Sequence, residues 1–209
     1  VDRNWESVER KSRSPDFDLD EALADMLTGF GASQADVQAV LRGLDYPDDP
    51  MAWDDDDREA LARDVRRRTK PIVVVANKAD VASQENVDRL LELDKPVIPA
   101  TAQGELALRK GSEAGAVDYD PGDESFDIVG EVSDAQRDLL EGLRDTMTEY
   151  GGTGVQAALD FAVYDLLDHV TAYPVQDASK WTDAKGNVLP DAFLLPRGST
   201  PVDLAYAVH

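Results

Sequence analysis

Three polar residues whose types and spacing suit base recognition follow an apolar stretch in the middle of the chain. Ile72 to Val75 are all β-branched, which is typical of a strand buried on both faces of a parallel sheet. Asn77, Lys78 and Asp80 come directly after this stretch. Because open α/β sheets bind their ligands at the carboxyl ends of strands, the sequence predicts a nucleotide-binding loop here.

The types of these residues favour guanine. The carboxylate of Asp80 can accept hydrogen bonds from N1–H and from the 2-amino group of guanine, whereas adenine presents no such pair of donors. A buried carboxylate left unpaired by the wrong base would reject that base strongly. Asn77 can bond the base edge and tie neighbouring loops together, and the stem of Lys78 can lie along the base plane. The alternative interpretation is an ordinary polar turn after a strand.

A second candidate loop, residues 101–105, follows one helix and one strand later. Its sequence, Thr-Ala-Gln-Gly-Glu, resembles the S-A-x-x-E loop with which GTP-binding domains place a backbone N–H on guanine O6. Thr101 stands where that pattern has serine, and Ala102 would supply the N–H. The spacing from Asn77 supports the assignment of both loops.

Composition limits the class of protein. The chain has 209 residues, of which 42% are hydrophobic, enough for a real core in one large or two small domains. There is no cysteine, which excludes disulfides and thiolate metal sites. No secretory signal and no run of about 20 apolar residues is visible. We therefore expect a cytoplasmic protein that does not associate with membranes.

The net charge of −22 is extreme, with 31 Asp and 12 Glu against 14 Arg and 7 Lys. An acidic surface that repels nucleic acid is one interpretation. However, the acid is spread along the whole chain and lysine is scarce, which resembles proteins of salt-loving organisms. In molar salt the Debye length is only about 3 Å, so self-repulsion is largely screened. We therefore expect a halophilic protein, whose charge does not exclude RNA as a partner.

Periodicity divides the chain into segments of different character. Residues 1–70 predict acidic helices, and residues 71–132 predict alternating strands, helices and loops. Residues 133–171 predict two helices separated at Gly151-Gly152, the second of them a long core helix because its apolar residues form a continuous stripe. Residues 173–209 predict short strands followed by the start of a helix.

A third motif narrows the family. Leu195 to His209, Leu-Pro-Arg-Gly-Ser-Thr-Pro-Val-Asp-Leu-Ala-Tyr-Ala-Val-His, closely resembles the signature of the TGS domain. This ubiquitin-like β-grasp module is shared by threonyl-tRNA synthetases, Obg/DRG-type GTPases and SpoT-type enzymes. The two loops resemble the fourth and fifth GTP-binding motifs of translation-factor-related GTPases. Together, the motifs resemble the Obg family in its archaeal Obg-like, YchF-related branch, to which residues 104–110 and 172–175 are also similar.

The resemblance implies an α/β fold that comprises the C-terminal half of a P-loop GTPase domain, with a parallel sheet. Residues 1–70 would be a helical insert, residues 71–172 the base-binding half, and residues 173–209 a truncated TGS domain. GTP would be the ligand and Mg²⁺ the cofactor, with hydrolysis to GDP and phosphate in the full-length protein. The implied contacts to the nucleotide are Asn77, Lys78, Asp80, Thr101 and Ala102.

Two motifs of such GTPases are missing from the sequence. There is no G-x-x-x-x-G-K-S/T, since Gly151 to Gly154 lacks the following Lys-Ser or Lys-Thr and is interpreted as a helix break, and there is no credible D-x-x-G. Because the family carries both motifs upstream of its helical insert, we expect a fragment without catalytic residues or metal ligands of its own.

Alternatives remain. Besides a translation- or ribosome-associated GTPase, the chain could be a non-catalytic protein that docks on RNA or the ribosome through its helical insert and TGS module. The TGS motif alone would also allow a piece of a synthetase or stringent-response enzyme, but the strand with N-K-x-D argues against that.

Overall fold

The structure is a computed structural model that describes residues 2–43, 46–47 and 49–208. It divides into two compact units, residues 1–72 and 73–209, called here the helical unit and the α/β unit. His209, the last residue of the TGS-like motif, lies outside the described residues. The helices are α1 (Asp2–Lys11), α2 (Leu19–Leu27), α3 (Gln34–Gly43), α4 (Asp55–Thr69), α5 (Gln84–Leu91), α6 (Ala102–Glu113), α7 (Asp134–Tyr150), α8 (Val155–Asp160) and α9 (Pro201–Val208). The strands are β1 (Val74–Asn77), β2 (Val97–Ala100), β3 (Val117–Asp118), β4 (Asp127–Ile128), β5 (His169–Ala172) and β6 (Phe193–Pro196).

The helical unit packs α1 to α4 around an apolar core. Leu23 and Leu61 are completely buried there. The rings of Trp5 and Trp53 lie 5.1 Å apart, and Tyr46 stacks on Trp53 at 4.7 Å. Such aromatic pairs bury large apolar areas in preferred offset or stacked geometries. The acidic helices predicted for this part of the chain are confirmed.

The longest helix of this unit, α4, has a charge distribution that suits its dipole. Asp54 caps it: its carboxylate accepts from the N–H of Asp57 at 2.9 Å, and the Asp57 carboxylate accepts from the N–H of Asp54 at 3.1 Å. Acidic residues fill the first turn and Arg66 to Arg68 the last. Acids at the amino end and bases at the carboxyl end both stabilise a helix.

In the α/β unit, β1 and β2 form a parallel pair in which Val74 lies opposite Val97 and Asn77 opposite Ala100. This confirms a mixed α/β unit with a small parallel sheet. The predicted burial on both faces is wrong, since Ile72 precedes β1 and the side chains of Ile72 and Val75 are each 45% exposed. β-Branched residues suit any pleated surface, so a run of them does not reveal how many faces are covered.

The predicted helix after Gly152 is present, but it is shorter and less buried than predicted. The short α8 continues into a π-helical turn, Phe161–Leu166, and Asp168 then adopts a left-handed conformation with φ 49°. From residue 169 the chain forms β5, and Leu159 and Leu167 are more than half exposed. An apolar stripe that is shared between a helix and a strand cannot be told from one long helix by periodicity alone.

Towards the carboxyl end, β5 and β6 pair antiparallel, with Ala172 opposite Phe193. Thr200 then caps α9: its N–H donates to the Asp203 carboxylate at 2.7 Å, and its Oγ1 accepts from the N–H of Asp203 at 3.3 Å. The division of the chain at residues 70 and 172, and the TGS identity of residues 173–209, stay predictions. Within the described part of the chain, no helix has both the length and the apolar character that crossing a bilayer requires.

Candidate functional site

The side chain of Asn77, the last residue of β1, joins the two loops singled out by the sequence. Its Oδ1 accepts a hydrogen bond from the N–H of Lys78 at 2.9 Å and another from the N–H of Ala102 at 3.1 Å. The carboxyl ends of β1 and β2 are adjacent because Asn77 lies opposite Ala100. The tie between neighbouring loops that was expected for Asn77 is therefore present.

The first loop is held by a backbone hydrogen bond to the end of β2, and its charged residues face the solvent. Lys78 has φ 69°, a left-handed conformation that costs a residue with a Cβ about 1–2 kcal/mol. The N–H of the buried Ala79 donates to the carbonyl of Ala100 at 3.0 Å. Lys78 and Asp80 are exposed. Among the described residues the Asp80 carboxylate has no hydrogen-bond or ion-pair partner, so its acceptors are available to a ligand.

The second segment differs from its prediction as a loop, because α6 begins at Ala102. Thr101 alone stays outside the helix, as its buried cap, and its Oγ1 accepts from the N–H of Gly104 at 3.1 Å. A threonine side chain that caps the helix satisfies one of the N–H groups that have no partner in the first turn. Of the predicted site residues, Thr101 therefore has a buried side chain that caps α6. Ala102 can contribute only its backbone N–H.

Beneath Ala102 lies a buried polar network. The N–H of Thr101 donates to the carbonyl of Thr153 at 2.8 Å. The Oε2 of Glu105 accepts from Thr153 Oγ1 at 2.5 Å and from Tyr119 OH at 2.7 Å, while its Oε1 accepts from Arg109 Nε at 2.6 Å. Each buried acceptor is thus satisfied, as low-dielectric surroundings require. The network fixes the start of α6 to a segment about 50 residues further along the chain.

The negative charge of this network lies on the carboxylate of Glu105. Burial alone would raise the pKa of its carboxyl, but the hydrogen bonds from Thr153, Tyr119 and Arg109 outweigh burial and hold the pKa below its ordinary value. Burial and the neighbouring Glu105 carboxylate raise the pKa of the Tyr119 phenol. The network therefore contains a carboxylate that accepts from a neutral phenol.

A close backbone contact holds the same segment against β2. Gly151, with φ 74°, ends α7 and confirms the predicted helix break. Gly154 has φ 76°, and a Cβ there would overlap the carbonyl oxygen of Pro99 and lie 2.8 Å from the Cα of Ala100. Only glycine fits such a position. The sequence marked this glycine cluster, but its contact with β2 is visible only in three dimensions.

A pocket of about 260 Å³ opens beside the first loop. Asp80 and Val81 line it from that loop. Gln103, Gly104 and Ala107 line it from α6, and Asp138, Leu139, Gly142 and Leu143 line it from α7. Its surroundings combine apolar side chains with a few polar groups, the usual character of small-molecule sites. Within residues 2–43, 46–47 and 49–208, no group of three or more His, Asp or Glu side chains converges to hold a metal ion.

Comparison with known proteins gives a family match over part of the chain. Residues 75–177 match the family described as "Obg-like GTPase YGR210-like, G4 motif-containing domain". The chain is 39% identical over 212 residues to an uncharacterized GTP-binding protein of Methanocaldococcus jannaschii, with 99% of this chain and 53% of that protein covered. These matches support a GTP-binding family.

Two further GTP-binding proteins agree. One of Schizosaccharomyces pombe, also uncharacterized, is 25% identical over 210 residues, covering 94% of this chain and 51% of its own length. The crystal structure of a GTP binding protein from Pyrococcus horikoshii OT3 superposes with a TM-score of 0.73 at 36% identity, covering 99% of this chain and 55% of that one. The chain thus spans about half the length of the curated relatives it matches.

Proposed function

We propose that this chain reads the guanine base of a guanine nucleotide at the carboxyl ends of β1 and β2. The residues that build the nucleotide site in this proposal are Asn77, Lys78, Asp80, Thr101 and Ala102. The observation that carries it is the hydrogen bond from the N–H of Ala102 to Asn77 Oδ1, which joins the first loop to the start of α6 at one edge of the parallel sheet. Guanine-specific contacts from two loops require such a fixed distance between them.

Each residue has a distinct role in this proposal. The unpartnered Asp80 carboxylate accepts from N1–H and the 2-amino group, and the exposed stem of Lys78 lies along the base. Ala102 offers its N–H to O6, sharing it with Asn77 Oδ1. Thr101 contributes by holding Ala102 in place through the helix cap and its bond to Thr153. The similarity to GTP-binding proteins supports GTP or GDP as the nucleotide.

For the longer protein, we propose an Obg-like GTPase that converts GTP to GDP and phosphate with Mg²⁺. Positioning and electrostatic stabilisation are the usual basis of such phosphoryl transfer. No Mg²⁺-dependent step is assigned to the described residues of this chain, which present no converging set of ligands. The TGS-like motif supports a translation- or ribosome-associated role, which we place in the cytoplasm. The acidic composition supports an origin in a salt-loving organism.

Replacement of Asp80 tests the base-reading proposal. We expect the chain to bind GDP in preference to ADP, and Asp80→Asn to weaken GDP binding about tenfold, since one unmade hydrogen bond to a charged acceptor is worth about 1.5 kcal/mol. The same variant should bind xanthosine diphosphate more tightly than the wild type does, because the new amide can donate to the oxygen at position 2 of xanthine. Binding would be followed by NMR titration of the Ala102 amide.

A matched control is Asp94→Asn, which removes the same charge from an exposed residue between α5 and β2. It should leave the affinity for GDP unchanged. An unchanged GDP affinity in Asp80→Asn would instead favour the alternative, a protein that docks on RNA or the ribosome without reading guanine.

A further inference from the structure

The pocket beside Asp80 has a wall that neither candidate loop supplies. Asp138, Leu139 and Gly142, all on α7, face the same space as Asp80 and Val81. The side chain of Leu139 is 57% exposed, although it is large and apolar. An exposed leucine at a pocket that also contains carboxylates is suited to cover one face of a flat ligand with polar edges.

The position of α7 is fixed by its neighbours in the α/β unit. Leu143 is buried and so close to α6 that a Cβ on Gly104 would meet its Cδ1. At the other end of the helix, Tyr150 OH donates to Gln84 Oε1 at 3.0 Å. Residues four apart share a helix face, so Leu139 lies one turn from Leu143 on the side that faces α6. The α7 wall is therefore held against α6 through Leu143 and against α5 at its carboxyl end.

Size and charge indicate what the pocket takes. At about 260 Å³ it lies below the range of about 300–1,000 Å³ that holds drug-sized ligands, so it suits a base better than a whole nucleotide. The carboxylates of Asp80 and Asp138 both line it, with no lysine or arginine among the lining residues. Such a site repels phosphate and favours the edge of a base that donates hydrogen bonds.

We propose that α7 forms the third wall of the guanine site, with Leu139 packed on a face of the base. This deepens the proposed function and rests on it. Because Asp80 is exposed in the chain, its hydrogen bonds to a base would compete with water. Leu139 would exclude that water and so strengthen the contacts that distinguish guanine from adenine. Leu139 is thus a specificity residue that neither sequence motif contains.

The test uses guanosine and the chain with labelled methyl groups. In the wild-type chain, guanosine should shift the Leu139 methyl signals and the Ala102 amide over the same concentration range, and adenosine should shift them less. Leu139→Ala should weaken guanosine binding about fivefold, since loss of about 1 kcal/mol of apolar contact corresponds to that factor. Leu159→Ala on α8, an equally exposed leucine outside the pocket, should bind guanosine as the wild type does.

The outcomes separate this inference from the function on which it rests. If guanosine moves the Ala102 amide but not the Leu139 methyls, and Leu139→Ala binds as tightly as Leu159→Ala, the third wall is overturned and guanine reading stands. If guanosine moves neither signal, the proposed function itself is overturned. A nuclear Overhauser contact between guanine H8 and a Leu139 methyl would support the packing directly.

Discussion

The two units bury different kinds of side chain. In the helical unit the buried residues are apolar, with Leu23 and Leu61 completely enclosed. The buried polar residues among those that the structure describes are Thr101, Glu105, Thr146 and Thr153, all in the α/β unit. Three of them belong to the network beneath Ala102. Buried polar groups thus concentrate where the candidate site is built.

The difference has a physical reason. Apolar cores tolerate exchange of one hydrophobic side chain for another of similar volume. A buried polar network tolerates little, because each donor or acceptor left unpaired costs about 1–3 kcal/mol. Directional bonds therefore fix the position of Ala102 more narrowly than apolar packing would. We infer that the stability of the helical unit depends on the volume of its buried side chains. The position of the candidate site depends instead on the geometry of its hydrogen bonds.

The largest effect is expected from Gly154→Ala. A positive φ costs alanine about 1–2 kcal/mol relative to glycine, and overlap with the backbone of β2 adds up to about 3 kcal/mol. Displacement of this segment should also break the bond between the Thr101 N–H and the Thr153 carbonyl. Amide hydrogen exchange should show lost protection at Thr101.

Gly142→Ala is the control for this change. Gly142 lies within α7, and a Cβ there meets nothing within 4 Å. The substitution should stabilise the helix by about 0.5–1 kcal/mol. If both variants kept the protection of the Thr101 amide, close contact with β2 would not be what positions this loop.

A second prediction concerns the helical unit. Leu61→Ala should cost about 3 kcal/mol of stability, within the range of about 2–5 kcal/mol for fully buried leucines. Trp5 and Trp53 are buried in the same core, so urea denaturation followed by tryptophan fluorescence measures the loss. Leu61→Met, which nearly conserves volume, should cost less than about 1.5 kcal/mol. If Leu61→Ala and Leu61→Met lost the same stability, the stability of this core would not depend on side-chain volume.

The smallest of the three effects on stability is expected from Glu105→Gln. The amide of glutamine offers one acceptor oxygen where Glu105 has two, so a donor among Thr153, Tyr119 and Arg109 loses its partner, at about 2 kcal/mol. The conservative exchange Leu61→Met in the helical unit should lower the stability by less than this. If Glu105→Gln lost less stability than Leu61→Met, the polar network would be the more tolerant of the two, which would contradict the proposed difference between the units.

The same variant should change the dependence of stability on pH. Because folding lowers the pKa of Glu105, its contribution is fully present above the pKa of the unfolded chain and is lost as pH falls through the folded pKa. Glu105→Gln should therefore flatten the acid side of the stability profile. Asp36, whose pKa is lowered chiefly by hydrogen bonds from Ser33, should keep its own acid dependence in that variant.

Local patterns in the sequence were enough to locate the elements and the loops. The acidic helices of residues 1–70, the parallel pair and the break at Gly151 follow from periodicity, capping and glycine. Asn77, Lys78 and Asp80 were found because polar residues directly after an apolar strand are a local signal. The same patterns misjudged the faces of β1, the start of α6 and the extent of α8, since burial and the exchange of helix for strand depend on distant neighbours.

The sequence by itself determined which residues could read a base: their types and their distance along the chain define an amide, a lysine stem, a carboxylate and a backbone N–H. Only the tertiary structure decided how they are held. The Glu105 network, the fit of Gly154 against β2 and the α7 wall each join segments distant in sequence. No local pattern encodes them, because each contact exists only once the chain has closed the loop between its two partners.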